Sequence, residues 1–430
     1  MKKNIGEVMY SWAEDLFPIC RSITGPGVRK TLLYFKELLP DLEIHSVPTG
    51  TKAFDWVVPN EWFVQDAYVE DMHGNKIVDF ANNNLHLVGY SKPVDEWMDL
   101  STLNNHLHSL PDQPDAIPYV TSYYDTNWGF CLTHRQRELL KKEQYHVVIK
   151  SELKHGVLNY GELIIKGDTD KEVLLSTYIC HPSMANNELS GPVVTAAIAQ
   201  WINQLKNQRY TYRIIFIPET IGSIVYLSKN LKHMKEHTIA GLVLTCIGDD
   251  RDYSLIPSRS GDTLTDRVTS YALNYYVKAY TRYSYLDRGS DERQYCSPGV
   301  DLPVCSIMRT KYQVYPEYHT SLDDLTLISS DGLKGGFDII KKTIEILELN
   351  QVYKIKNLCE PQLGRYDLYP NISINKGSKE YKLSKIMLDI LAYADGCNDV
   401  LEICRIIRAD FFTVNQCIKS LVDNKLLILK

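Results

Sequence analysis

Four loops of this chain carry side chains able to bind a hard or borderline cation or to move a proton. The apolar run from Val173 to Ile179 breaks into His181, Asn186, Asn187, Glu188 and Ser190-Gly191. Arg213 to Pro218 ends at Glu219-Thr220-Ile221-Gly222, and Ala240 to Ile247 ends at Gly248-Asp249-Asp250. Tyr315 to Asp324 sets His319 among carboxylates. A histidine followed by proline is, taken alone, more often a capped loop residue than a ligand. Here, however, His, Glu, Asp and His recur at successive loops, and together they make a donor set for a cation.

The order and frame of these motifs resemble the zinc aminopeptidases with two adjacent metal ions, a fold shared with glutaminyl cyclases. That family has a His at a strand end, Asp-x-x-Ser-Gly opening a helix, and Glu-Glu-x-Gly after the next strand. A single Asp and a late His before Thr complete it. The matching positions here are His181, Asn187 in N-E-L-S-G, Glu219-Thr220 in E-T-I-G, Asp249, and His319 in Y-H-T. Over nearly its whole length the chain resembles aminopeptidase-like proteins linked with bacterial surface-polysaccharide loci, which carry an inserted domain and a C-terminal winged helix.

What the resemblance implies is a metal-dependent peptidase or amidase acting on a small peptide or amide. Bound zinc would acidify a water and polarise an amide carbonyl, with Glu219 as the base that carries the proton to the leaving amine. Two departures alter the metal count. Asn187 replaces the bridging Asp, and Thr220 replaces the second Glu, so His181, Asp249 and His319 are the expected ligands of one zinc ion. Asn187 is a weak further ligand, and Glu188 or Glu219 is a replacement ligand; in the latter case the base would be lost. The segment Arg288 to Arg293 matches a Ser-Asp-His segment near the peptidase site, with Glu292 in place of His. Asp291, Glu292 and Arg293 are therefore expected to orient substrate charges.

The elements that must position these residues are strands and helices in alternation. Val173 to Ile179 reads as a strand buried on both faces and Leu189 to Leu205 as the amphipathic helix after it. Ligands of open α/β sheets bind beyond the carboxyl ends of the strands, where these loops lie. The expected fold is α/β, a mostly parallel sheet with helices on both faces. It is built from residues 1–51 and 135–355, with Val147 to Ile149 and Leu158 to Ile165 as neighbouring strands before the central one. Thr263 to Tyr280 and Gly335 to Leu349 read as later helices.

Residues 52–134 change character. Trp56, Trp62, Val64 and Tyr68 are strand formers, His73-Gly74-Asn75 is a turn, and Leu85 to Tyr90 and Tyr119 to Tyr124 continue the pattern. This block reads as an inserted β-rich domain that caps the site or docks a partner. Its His106, His108 and Asp125 lack metal spacing and read as structural groups. Residues 358–430 begin with a linker punctuated by Pro361, Gly364, Pro370 and Gly377. Three helices follow, at 383–394, 399–407 and 413–424 with Thr413 as N-cap, and then a strand at 426–429, a winged-helix pattern.

Composition sets the remaining bounds. A chain of 430 residues with net charge −6 fits two or three soluble domains and gives no reason to expect nucleic acid or anionic membrane as the main partner. The third tail helix offers only Asn415, Gln416 and Lys419, which favours protein contact, including a homo-oligomer, over DNA reading. No apolar run reaches a membrane span, and Glu7, Glu14 and Asp15 interrupt any signal-peptide core, so a cytoplasmic protein is expected. The ten cysteines form no C-x-x-C pair and read as reduced thiols, Cys180 among them as a core residue. Three functions remain: a zinc hydrolase, a degenerate binding protein of the same fold with a role in surface-polysaccharide biosynthesis, and a ligand-sensing transcription regulator.

Overall fold

The computed structural model describes residues 4–369 and 379–430, so the expected linker positions Pro370 and Gly377 lie outside the described residues. The chain divides into two units, Met1–Ile340 and Lys341–Lys430.

An eight-stranded sheet organises the first unit. Its strands are β1 (Glu43–Pro48), β2 (Val157–Ile165), β3 (Glu172–Tyr178), β4 (Thr211–Ile217), β5 (Thr238–Leu244), β6 (Ser254–Ile256), β7 (Thr281–Arg282) and β8 (Val304–Met308). They lie in the order β1-β2-β4-β3-β5-β8-β6-β7. The middle four strands are parallel, with Leu175 opposite both Ile214 and Leu242. The joins β1–β2, β2–β4 and β8–β6 are antiparallel. Every residue of β3 and β4 is buried, as an unbroken apolar run requires when helices cover both faces.

The helix after β3 spans Ser190–Asn203, preceded by one π turn at Ala185–Leu189. It is buried almost all round, where an amphipathic helix was expected, because helix Ile5–Leu16 packs against it. Gly191 makes its close approach to the sheet possible. A Cβ there would meet Leu244 O at 2.3 Å and Thr177 Oγ1 at 2.7 Å. The helix start is thereby held against the ends of β3 and β5.

The inserted region forms a four-stranded antiparallel sheet in the order Lys76–Asp79, Glu61–Glu70, Gln144–Lys154, Val94–Asp99. Asp71 shapes its first turn by accepting from His73 N and Asn75 N, with Gly74 at φ +80°. The placement of Val147–Ile149 is a correction. These residues join the insert's sheet, where Tyr68 faces Val148, and not the sheet of the α/β core. Their apolar run only demands burial, which the ten-residue strand Glu61–Glu70 supplies first. Leu85–Tyr90 and Tyr119–Tyr124 are not regular strands; a 3-10 turn at Asn84–His86 and isolated bridges such as Gly89 to Thr121 hold them. One apolar cluster runs from the insert into the main sheet, containing Trp62, Val69 and Tyr145 together with Leu158, Tyr160, Ile215 and Ile217.

In the second unit, Val352–Ile355 pairs with Asp395–Asp399 and Leu427–Leu429 beside helices Lys379–Tyr393, Val400–Ile407 and Phe411–Asp423. Residues 352–355, placed by the sequence within the bounds of the α/β domain, form a strand of the tail's own sheet. The N-cap of the last helix is Asp410, not Thr413: its carboxylate accepts from Thr413 N at 2.9 Å. Among the described residues no helix is long and apolar enough to cross a membrane.

Candidate functional site

Beyond the end of β3 the chain turns at Cys180 and brings His181 over the sheet. Its peptide N and its ring Nδ1 both donate to Glu188 Oε2, at 2.9 and 3.0 Å. The other oxygen, Oε1, lies 3.2 Å from Arg21 Nε, and both of these side chains are fully buried. Arg21 Nε also donates to His181 O at 2.9 Å, and its Nη1 donates to Leu16 O at 2.8 Å. The result is a closed chain of opposite charges, Arg21–Glu188–His181. With Nδ1–H given to the carboxylate, the imidazole presents Nε2 outward, 3.5 Å from Glu219 Oε2. Burial disfavours the charged imidazole and the Glu188 carboxylate favours it, so a cation at Nε2 binds in competition with a proton. Glu188 therefore fixes His181, and both of its oxygens are already engaged, one by that ring and one by Arg21. No motif pointed to Arg21, which lies 160 residues from its carbonyl partner.

His319 reaches the same place from a loop, in a left-handed conformation with φ +56°. Its ring stacks on Tyr318 at 3.9 Å and lies 5.4 Å from the His181 ring. Burial, and then the neighbouring His181, push its pKa down to about 3, so the ring is neutral. Its Nε2 is buried and has no hydrogen-bond partner. Glu219, beyond the end of β4, is steadied by Ser290 Oγ, which donates to its Oε1 at 2.8 Å. Burial raises the Glu219 pKa, against the opposing pull of His181, Ser290 and Arg293.

The turn that carries Glu219 is held from beneath. Thr220 adopts φ +65°, and its N donates to Asp291 Oδ1 at 2.8 Å, which also accepts from Ser223 Oγ. Glu292 is fully buried and accepts from Gly289 N, Ser290 N, Tyr312 Oη and Ser306 Oγ. Asp291 and Glu292 therefore support loops and do not line the cavity, a correction to their expected contact with substrate. Their Gly-Ser-Asp setting identified an active-face loop, but not which side chains turn inward. Arg293 does reach the cavity and donates to Thr220 Oγ1 at 2.6 Å.

His181, Glu219, His319 and Arg293 line a cavity of about 350 Å³, whose far wall comes from the insert through Trp56, Tyr119, Tyr123 and Tyr124. A larger cavity of about 700 Å³, lined by Met72, Asp99 and Lys142 among others, holds none of these groups.

Asp249, expected as a cation ligand, does not line the cavity. Its Oδ1 accepts from Thr310 Oγ1 at 2.7 Å and Arg251 N at 2.9 Å, and its Oδ2 accepts from Thr310 N at 2.9 Å and Asn186 Nδ2 at 3.0 Å. Protein donors thus take up the carboxylate, and it acts as a clamp between loops. Asn187 donates its amide Nδ2 to Tyr178 Oη at 2.8 Å, while its Oδ1 is buried without a partner. Asp323, which the sequence did not single out, accepts from the N–H groups of Ala185, Asn186 and Asn187 and holds that loop.

Two donor sets compete for a cation. Among the described residues, Cys180, His181 and Glu188 are the group whose ligand atoms lie within 4.8 Å of one another. That set is poor: burial holds the Cys180 thiol up at about 11, and Arg21 already neutralises Glu188. The cavity side offers His181 Nε2, the unpartnered His319 Nε2 and Glu219, two imidazoles and a carboxylate, which are donor types that zinc takes. These three do not meet within the same 4.8 Å. For a second adjacent ion, Asn187 and Thr220 offer only neutral groups and Asp249 is taken up by protein donors.

Residues 10–350 match a family described as a domain of unknown function, DUF4910, and residues 351–428 match a winged helix-turn-helix family. A Clostridium acetobutylicum protein, named as a candidate polysaccharide biosynthesis protein with an aminopeptidase-like domain, is 44% identical over 93% of this chain and 91% of its own length. The crystal structure of a candidate peptidase from the same species has a TM-score of 0.92 at 41% identity, covering 99% of this chain and 96% of that one. A zinc aminopeptidase from Bacillus subtilis shares the fold, with a TM-score of 0.58 at 12% identity over 81% of this chain and 95% of its own.

Proposed function

Because the chain belongs to the DUF4910 family of aminopeptidase-like proteins, we propose that its cavity binds a small amide or peptide and hydrolyses it with one zinc ion. His181 and His319 would hold the ion through Nε2. The observation that carries this reading is the neutral, buried and unpartnered Nε2 of His319, beside His181 and Glu219. A buried acceptor left without a donor is costly unless something binds it. When bound, zinc supplies Lewis acidity toward an amide carbonyl and acidifies water.

The chain's own groups do the rest. Glu188 keeps the proton on His181 Nδ1, and Ser290 fixes the Glu219 carboxylate through Oε1. Oε2 is then the atom that accepts a proton and returns it to the leaving nitrogen. Arg293 pairs with an anionic end of the substrate. The name of the Clostridium acetobutylicum relative suggests the setting, polysaccharide biosynthesis; the cytoplasmic location and sugar-linked amides as substrates are our own proposal.

A second reading, ligand binding without turnover, is favoured by the engagement of Asp249 and by the amide at Asn187. Elemental analysis of purified protein, with His181→Ala and His319→Ala alongside, separates the two. The hydrolase reading expects about one zinc per chain, lost in both variants. It also expects turnover in a panel of aminoacyl and N-acyl amides that falls by about 100-fold or more in Glu219→Gln. Absence of zinc after incubation with the metal, with no turnover, leaves the binding reading.

A further inference from the structure

The cavity wall contributed by the insert carries a second kind of chemistry. Trp56 and Tyr124 meet edge to face at 5.7 Å, and both remain well exposed, at 37% and 53%. Two such rings, inclined at 69° to one another, offer an apolar corner to a flat or chair-shaped ring. A purely aromatic occupant does not satisfy the polar groups beside them. Thr121 lines the same cavity, with its Oγ1 buried beside the Tyr123 hydroxyl. Arg293, across the cavity, has no carboxylate within 4.0 Å among the described residues and donates only to Thr220 Oγ1. A guanidinium left unpaired at a cavity wall is a receptor for carboxylate or phosphate.

We propose that Trp56, Tyr124, Thr121 and Arg293 form a subsite for an anionic pyranose. One ring face would stack on the aromatic corner, a hydroxyl would bind Thr121 Oγ1, and the carboxylate of the sugar would pair with Arg293. A pyranose meets all three demands at once: it has an apolar C–H face, hydroxyls at its edge and room for a charged substituent. The inference deepens the hydrolase reading by naming its substrate class and rests on that reading for the reaction. The subsite itself does not depend on turnover.

The test is therefore binding to the full-length protein, followed by tryptophan fluorescence and saturation-transfer NMR. It is run as purified, and again in Glu219→Gln with a chelator present, so that failure of catalysis leaves the binding result standing. The probes are glucuronic acid and N-acetylneuraminic acid, with glucose and N-acetylglucosamine as neutral counterparts and benzoate as the aromatic acid. The proposal expects the acidic sugars to bind about 10-fold more tightly than the neutral ones, with Arg293→Gln abolishing that preference. It expects Trp56→Ala and Tyr124→Ala to weaken both classes by about 5-fold or more with unchanged circular dichroism. Equal binding of acidic and neutral sugars, tighter binding of benzoate than of the acidic sugars, or no binding of any probe overturns it.

Discussion

Glu188 sits between two groups that need its charge, and neither has a substitute. Arg21 and Glu188 are both fully buried, so removing one leaves the other charged in a dry interior. Arg21→Met should cost about 3–5 kcal/mol of stability in urea unfolding. The Arg21→Met/Glu188→Gln double variant should cost less than the sum of the single ones, a coupling that a double-mutant cycle reads directly. Asp249 gives a second residue-level prediction. As a clamp it should be lost at a cost of about 1–3 kcal/mol in Asp249→Asn, because Thr310 N and Arg251 N lose a charged acceptor. As a ligand its loss would instead lower zinc content, so measuring both quantities separates the roles. Strand ends made the loops bearing His181, Glu219, His319 and Arg293 legible, the resemblance to zinc aminopeptidases singled out the side chains, and the four line one cavity. The direction of the Asp249 carboxylate was not legible, since its partner Thr310 arrives 61 residues later and only through folding.

Among elements, the junction of β3, β5 and helix Ser190–Asn203 has the least tolerance. Gly191→Ala would force a methyl group against Leu244 O and Thr177 Oγ1. The helix start must then move away from the sheet, and a loss of about 1–3 kcal/mol with altered cavity binding is expected in denaturant titration with a bound probe. The insert's sheet has a proton-linked tie. His146 on Gln144–Lys154 contacts Glu70 at 2.9 Å and Asp95 at 2.8 Å, one on each flanking strand, and stacks on Trp97. Glu70 leads in raising its pKa, ahead of Asp95, while burial opposes them. The protonated form is thus favoured by folding. Its stabilisation is complete below the unfolded value near 6.5 and is lost as pH rises through the higher folded value. The side chain is partly exposed, so the effect between pH 6 and 9 should be below about 1 kcal/mol, and His146→Gln should flatten it in thermal melts. Apolar runs identified the strands of the main sheet well, because burial on both faces leaves an uninterrupted signature. They did not tell which sheet Gln144–Lys154 would join, since periodicity reports burial and not the identity of the neighbour.

At the scale of the molecule, the division of labour between core and tail was legible from the return of helical periodicity near the C-terminus, although the tail's first strand was not. The tail has its own buried set, Ile390, Val400, Ile403, Phe411, Val414, Ile418 and Leu421, so a fragment of residues 350–430 should fold alone and melt cooperatively by circular dichroism. The insert is different. Its Trp62, Val69 and Tyr145 belong to the same apolar cluster as Leu158 and Ile215 of the main sheet, as do Ala53 and Val58 on either side of Trp56, so the strands behind the cavity wall cannot swing aside without opening that interior. A cavity backed in this way keeps its shape before a ligand arrives. Small ligands should enter by diffusion into a preformed shape, and in stopped-flow mixing their observed association rate should rise linearly with concentration, with no plateau set by a gating step.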